Sequence, residues 1–137
     1  MKLIEIYNGL ADETRLRIMH LLAQAPLCVC HLQSVLGLTQ VAVSKHLAYL
    51  RQRGLVEGSR HQQWMIYSLP AKQPRELELQ LRALQDCAQL DEVLREDLRR
   101  LKNVEPDCCW VEKVLQQARP PMRKPTNASK RSALVTT

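Results

Sequence analysis

A tight turn at Gly37 constrains this sequence most, because it separates two short helical patterns between Leu27 and Leu55. Before the turn, apolar residues recur at the three- and four-residue spacing of one helix face. Gly37 provides the conformational freedom that ends this helix, and Thr39 is a good N-cap for the next one. The pattern predicts two short helices joined by a tight turn, which occurs both in ordinary helical cores and in DNA-binding proteins.

The second of these helices is amphipathic. Val43, Leu47 and Leu50 form an inward apolar stripe, and Ala48 lies on the opposite face. That opposite face is short-chained and polar near the helix start and basic further along, which suits base edges and flanking phosphates. The residues of this unit predicted to contact DNA are Thr39, Gln40, Ser44, Lys45, His46 and Arg51.

A β-hairpin is predicted directly after the second helix. Gly54 ends that helix, and residues 55–57 and 64–69 have the composition of two strands around the polar turn GSRHQQ. The turn carries Arg60 and His61, a basic tip that a hairpin serving only to cap a core does not need. The hairpin is therefore interpreted as a wing that contacts DNA through these two residues.

The sequence resembles the ArsR/SmtB family of thiol- and metal-responsive winged-helix repressors in four ordered segments, GLADETRLRIMHLLA, LCVCHL, VSKHLAYLRQRGLV and WMIYSL. The resemblance covers about residues 3–70. It implies a mainly α fold with a small β-hairpin, a winged helix-turn-helix dimerised through its terminal helices. It also implies a dimeric repressor that controls an arsenic-resistance operon and that a metal or metalloid ion releases from operator DNA.

Composition excludes several other classes. The chain has 137 residues, 45% of them hydrophobic, which allows one domain with a core plus a tail. The absence of Phe, with two Trp and three Tyr, argues against a stacking platform for single-stranded nucleic acid. No segment has the apolar length of a membrane span, and Glu5 and Asn8 interrupt any signal-like core, so we expect a cytoplasmic protein.

Helical patterns flank the central unit on both sides. Residues 3–10 predict a short helix, and Asp12 caps a second one that supplies core residues beneath the turn. Pro70 and Pro74 bracket a linker before one long predicted helix over residues 75–102. Its leucine stripe is too long for half of this chain to cover, so we expect a homodimer; the alternative is a core helix packed within one chain.

The net charge of +6 lies mostly at the C-terminus. A last helix is predicted from Asp107 to about Gln117, and the tail beyond it has five basic residues and no acidic one. The tail composition is typical of disorder, and it either adds salt-sensitive DNA contacts or is simply solvated. The predicted division is residues 1–71 for DNA binding, 72–118 for dimerisation and the C-terminal helix, and 119–137 for the tail.

Cys28 and Cys30 form the sharpest candidate ligand site. Five Cys in CxC and CC arrangements of a cytoplasmic protein are expected to be ligands or redox sensors rather than structural disulfides. Thiolates are soft ligands that suit trivalent arsenic or antimony and also cadmium, lead and zinc. In a regular helix residues i and i+2 lie about 200° apart, so one ion would reach both sulfurs only by deforming this first turn. The alternative is a pair of buried structural cysteines.

The family resemblance also shows where this chain departs. Arsenic-sensing members have a third thiol at the position of Gln33, so a third ligand must come from elsewhere in this chain. His31 is a candidate nitrogen ligand for zinc. Cys108 and Cys109, with Cys87, resemble a C-terminal three-thiol site of arsenical-responsive members; the alternatives are an apolar helix face for the pair and a core position for Cys87.

Two alternatives to arsenic-gated repression stay open. One is a repressor of the same fold that senses cadmium, lead, zinc or oxidation. The other is a thiol oxidoreductase that uses Cys28 and Cys30 as an exchangeable pair, although the sequence has no Ser/His/Asp set, phosphate-binding glycine loop or thioredoxin-like strand before the CxC. We therefore expect a DNA-binding regulator and not an enzyme.

Overall fold

The structure is a computed structural model that describes residues 1–104. The described chain is mainly helical with one small sheet, as predicted. The predicted last helix and the basic tail lie outside the described residues. In chain order the elements are α1 (Lys2–Leu10), α2 (Glu13–Leu22), β1 (Leu27–Cys28), α3 (Val29–Leu36), α4 (Gln40–Gln52), β2 (Glu57–His61), β3 (Trp64–Ser68), α5 (Arg75–Ala88) and α6 (Glu92–Asn103).

The two N-terminal helices form as predicted. The Asp12 carboxylate caps α2 by accepting a hydrogen bond from the backbone N of Arg15 at 3.0 Å. Gly9 lets α1 approach closely, because a Cβ at this position would lie 2.3 Å from Cδ1 of Leu55. The backbone of α1 therefore rests directly on the residue that follows the helix-turn-helix.

One buried polar residue lies in this N-terminal part. His20 of α2 is 1% exposed, and its Nδ1 has no hydrogen-bond partner within residues 1–104. Burial lowers the pKa of His20, partly opposed by the charge of Asp97 on α6. The imidazole is therefore held in its neutral form.

The central helix-turn-helix also matches the prediction. Gly37 ends α3 with a left-handed φ of 66°, and the Thr39 hydroxyl caps α4 by accepting from the backbone N of Ala42 at 3.2 Å. A left-handed residue at this position favours glycine. The predicted inward stripe of α4 is fully buried and consists of Val43, Leu47 and Leu50.

The wing differs from the prediction in where its turn lies. β2 extends to His61 and pairs with β3, so Arg60 and His61 are strand residues rather than part of a six-residue turn. The turn is only Gln62 and Gln63, and Gln62 has a φ of 57°. The two strands pair until only a two-residue turn is left between them. The predicted turn was assigned from polar composition, and composition does not detect strand pairing.

A third strand, β1, completes the sheet in the order β1-β3-β2. Leu27 and Cys28 pair antiparallel with Tyr67 and Ile66 of β3. Two residues are too few to show any periodicity, so the sequence did not predict this strand. It places the first cysteine of the CxC against the wing.

The prediction of one long helix over residues 75–102 is wrong. α5 ends at Ala88 and α6 begins at Glu92, and the Asp91 carboxylate caps α6 by accepting from the backbone N of Leu94 at 3.1 Å. Leu90, part of the predicted stripe, lies in the break and is 88% exposed. The leucine spacing continued through the break and concealed the N-cap signal of Asp91.

Instead of extending away, α6 packs on α2 and α3 of its own chain. Asp97 is 1% exposed, and its two oxygens each accept a hydrogen bond of 2.8 Å from the Arg17 guanidinium. Arg100 donates to the carbonyl of Val35 near the end of α3 at 3.3 Å. α6 therefore holds the first helix of the helix-turn-helix from behind.

The leucines assigned to a dimer interface belong to the chain's own core. Leu84 and Leu94 are buried in one cluster with core residues of α2, α3 and α4. The argument that the stripe needs a partner subunit is therefore wrong, and the intramolecular alternative describes these leucines. The homodimer and the division at residue 71 both stay predictions. Within residues 1–104, no helix is long and apolar enough to cross a membrane.

Candidate DNA interface and thiol site

The polar face of α4 is open to solvent. Lys45, Ala48 and Arg51 are exposed, as are Thr39 and Gln40 at the helix start, while Ser44 is half-buried. The helix contains cationic residues and no acidic one. Among residues 1–104, no carboxylate forms an ion pair with Lys45 or Arg51, so these two cations are available to a polyanion.

His46, which the sequence analysis assigned to the DNA-contacting residues, lies beside the start of α2. Its Nδ1 lies 3.8 Å from the Asp12 carboxylate at the start of α2, and the side chain is partly exposed. The hydrogen bond from the backbone N of Arg15 holds the pKa of Asp12 below its usual value, opposed by burial. The carboxylate is thus charged at neutral pH, and His46 connects the recognition helix to α2.

The wing contributes a cation beside this helix. Arg60 is exposed on β2, the outer strand of the sheet, and His61 is half-buried with its Nε2 3.1 Å from the Ser59 hydroxyl. The guanidinium of Arg51 lies 3.4 Å from the place a Cβ would take at Gly58. The end of α4 and the base of the wing are therefore in contact.

A stack around Tyr49 was missed by the sequence analysis. The guanidinium carbons of Arg15 and Arg53 lie 4.0 and 3.4 Å from the centre of the Tyr49 ring. Arg15 also donates to the carbonyl of Gly9, and Lys2 donates to the carbonyl of Arg53. These contacts fix the recognition helix to α1 and α2. The pair Tyr49 and Arg53, four residues apart on one helix, was the available signal.

The two cysteines of the CxC lie at the junction of β1 and α3. Cys28 is the extended N-cap residue of α3 and is buried in a small cluster with Ile66 of β3. Cys30 is half-buried and packs on that cluster together with Trp64. The predicted geometry, with both cysteines in one helical turn, is therefore wrong, because Cys28 belongs to the strand. The thiol site touches the wing directly.

His31 lies beside the first cysteine, with its Nδ1 3.4 Å from the Cys28 sulfur. Both Cys28 and Cys30 are disulfide-bonded in this structure. The reduced state expected from the sequence stays a prediction. Within residues 1–104, no three His, Cys, Asp or Glu residues are grouped to hold a metal ion. After reduction the CxC would offer the soft sulfur donors that trivalent arsenic needs, and a third donor would have to come from elsewhere.

The secondary thiol candidates are only partly described. Cys87 lies near the end of α5 as an exposed free thiol, so the alternative that it is a core residue is wrong. Cys108 and Cys109 lie outside the described residues. The proposed grouping of these three thiols therefore stays a prediction.

A capped recognition helix followed by a hairpin wing defines a winged helix-turn-helix protein. Residues 12–58 match the family model for bacterial regulatory proteins of the arsR family. The arsenic resistance transcriptional regulator ArsR1 of Pseudomonas putida is 38% identical over 97 residues, covering 70% of this chain and 74% of that protein. The chain belongs to the ArsR family. It is accordingly a helix-turn-helix transcriptional regulator.

Further comparisons agree on the fold. The arsenical resistance operon repressor of Escherichia coli is 43% identical over 67 residues, which is 48% of this chain and 57% of the repressor. HlyU of Vibrio cholerae superimposes with a TM-score of 0.57 at 34% identity, over 62% of this chain and 89% of HlyU. These relatives are regulators, which favours regulation over the thiol oxidoreductase interpretation.

Proposed function

We propose that this chain is a homodimeric repressor of an arsenic-resistance operon, released from operator DNA when trivalent arsenic or antimony binds Cys28 and Cys30. The observation that supports this is the packing of both cysteines with Ile66 and Trp64 of the wing strand. An ion that draws the two sulfurs together would shift β1, the start of α3 and β3 together. Two relatives named for arsenic resistance support the choice of ion.

DNA binding in this proposal uses the outward face of α4 and the wing. Gln40 and Ser44, near the helix start, would read base edges in the major groove. Lys45, Arg51 and Arg60 would hold phosphates, because their long cationic side chains extend from exposed positions. His46 and His61 would act mainly through their neighbours, Asp12 and Ser59.

Dimerisation in this proposal uses α1 and α5 rather than the leucine stripe. Exposed large apolar side chains occur on α1 at Ile4 and Tyr7, just before α1 at Met1, and on α5 at Leu79. The two helices are in contact with one another. A second copy of the chain would cover these residues and would align two recognition helices with a two-fold operator.

The ion site in this proposal has three sulfur donors. Cys28 and Cys30 are the primary ligands, and Cys108 or Cys109 supplies the third, from either subunit. Cadmium, lead and zinc are alternative ions, since thiolates bind them as well. For zinc, His31 is close enough to Cys28 to serve as a nitrogen donor.

Arsenite titration of reduced protein bound to labelled duplex from upstream of its own gene tests the proposal. The parent should bind the duplex and release it on adding arsenite, measured by fluorescence anisotropy. Cys28→Ser with Cys30→Ser should bind normally and no longer release, because serine is a hard, neutral ligand. Cys87→Ser, which changes an exposed thiol outside the cluster, is the matched control and should respond like the parent.

The outcome that overturns this choice of ligands is normal arsenite release by the double variant. If Cys108→Ser with Cys109→Ser alone abolishes release, the C-terminal pair is the sensor instead. A site shared between the two pairs predicts that both double variants lose sensitivity, and the CxC variant loses more.

Oxidation sensing is a second candidate, favoured by the disulfide-bonded state of Cys28 and Cys30. Disulfide formation would constrain the β1–α3 junction as an ion does. Adding peroxide to reduced, metal-free protein on the same duplex distinguishes the two candidates. Release by peroxide with no response to arsenite would replace arsenic with oxidation as the signal.

A further inference from the structure

Val41 is an exposed apolar residue on the recognition helix. It is the second residue of α4, and its side chain is 66% exposed. The other exposed residues near the start of this helix, among them Gln40 and Lys45, are polar. Covering an apolar side chain at this position breaks no hydrogen bonds to water. The side chain contributes a favourable free energy only when another group covers it.

The position of Val41 on the helix is central. An α-helix turns by about 100° per residue. On that basis Val41, Lys45 and Gln52 lie within about 30° of the direction opposite the buried stripe. Ser44 lies about 90° to one side, which agrees with its half-buried side chain. The middle of the outward face near the helix start is therefore apolar.

The major groove of DNA offers one apolar group that varies with sequence, the C5 methyl of thymine. The other groups that distinguish the base pairs in that groove are mainly hydrogen-bond donors and acceptors, which valine cannot satisfy. A recognition helix that enters the groove by its N-terminal half brings its second residue to the base edges. Valine at this place therefore selects for a methyl group and against an unpaired polar edge.

We propose that Val41 is a specificity-determining residue that packs on the methyl group of a thymine in each half-site. The inference rests on the proposed DNA-binding function and adds the base that α4 prefers. Lys45, one turn further along, then extends past the base edges to the backbone. Sequence preference at this position comes from apolar contact rather than from hydrogen bonds.

Deoxyuridine substitution isolates the methyl group, because uracil differs from thymine only by lacking it. Duplexes are first selected by the protein from a random-sequence pool, and each thymine is then replaced in turn. For the parent, each half-site should contain one thymine whose replacement by uracil weakens binding about fourfold. This is the value of burying one methyl group. Val41→Ala should bind the thymine duplex more weakly and should not distinguish thymine from uracil at that position.

Val93 provides the matched control. It is also the second residue of a capped helix, α6, and is 43% exposed. Val93→Ala changes helix propensity in the same way, yet it should keep the full penalty for uracil. The inference is overturned if no replacement weakens the parent, or if Val41→Ala keeps the same penalty. Failure of the pool to yield any preferred sequence would instead overturn the proposed DNA-binding function.

Discussion

The helices α4 and α6 have the same construction but opposite uses of charge. Both begin at a side-chain cap, Thr39 in one and Asp91 in the other, and both bury an apolar stripe. In α4 no acidic residue accompanies the cations. In α6 the cations pair with acids, through Glu96 with Arg99 and Arg100.

The difference shows how a helix of this protein becomes available for DNA. On α6, both Glu96 and Asp97 pair with arginines of the same chain, most completely where Asp97 meets Arg17. On α4, neither Lys45 nor Arg51 forms an ion pair with any of residues 1–104, so both can meet an external partner. An amphipathic pattern alone therefore does not identify a DNA-reading helix, whereas a cationic outer face without acidic residues favours one.

The largest expected effect comes from breaking the attachment of α6. Asp97→Ala leaves the Arg17 guanidinium largely buried without its carboxylate, so the free energy of unfolding should fall by about 3 kcal/mol. Urea unfolding followed by circular dichroism measures this. Glu96→Ala removes only exposed pairs and should cost less than about 1 kcal/mol. Equal losses for the two variants would show that α6 is not held by the buried pair.

The next effect tests whether α4 works alone or as one of two. Ile4→Asp with Tyr7→Asp places charges on the exposed face of α1 and should give a folded monomer in sedimentation experiments. Operator affinity should fall about 100-fold, because the second half-site no longer adds to binding. Leu84→Asp instead puts a charge in the chain's own core and should unfold it. A folded dimer in the α1 variant would refute the interface.

A smaller effect compares one cation from each helix. Lys45→Ala should weaken binding to operator and random duplexes alike. The slope of log affinity against log salt concentration should become shallower by about one, as expected for the loss of a phosphate contact. Arg95→Ala removes an exposed cation from α6 and should change neither quantity. Isothermal titration at several salt concentrations gives both values. A similar change for both variants would mean that overall charge, rather than the α4 face, drives binding.

The smallest effect concerns His20, which lies between α2 and the α6 carboxylate. Its pKa is lowered in the folded protein, so the unfolded chain, with a pKa of about 6.5, binds more protons. The contribution of His20 to the free energy of unfolding is therefore fully present above about pH 7. It is lost as the pH falls through the pKa of the unfolded chain. His20→Gln should reduce the dependence of the melting temperature on pH between pH 7 and 5. An unaltered slope for His20→Gln would exclude this explanation.

Local signals were sufficient for much of the DNA-binding unit. Gly37, Thr39 and Asp12 each act within a few residues of themselves, so the turn and the helix starts could be predicted. The strand at Cys28 depends on pairing with Ile66, which is 38 positions away in the sequence, and no local pattern encodes it. The break at Asp91 had a local signal, but the leucine spacing outweighed it. The turn within the wing was misplaced because polar composition continues into β2.

In the candidate site, too, features with a local sequence signal could be predicted, and features that depend on distant contacts could not. Residue types identified Cys28 and Cys30, but their common contact with the wing strand required the fold. Helical spacing places Val41 on the outward face of α4, but only the structure shows that this apolar side chain stays uncovered. The Tyr49 stack depends on Arg15 from another helix and could not be predicted beyond its Arg53 half.

The close approach of α1 to Leu55 at Gly9 has a consequence for the spacing of the operator. Because Gly9 has no side chain to separate α1 from Leu55, the surface proposed for dimerisation and the recognition helix can move little relative to one another. Two such units would present their α4 helices at a fixed separation and a fixed rotation about the DNA axis. Inserting one base pair between half-sites turns one relative to the other by about 35°. A dimer this rigid would then lose its contact with the second half-site. We therefore expect the number of base pairs between the half-sites to be selected as strictly as the bases within them.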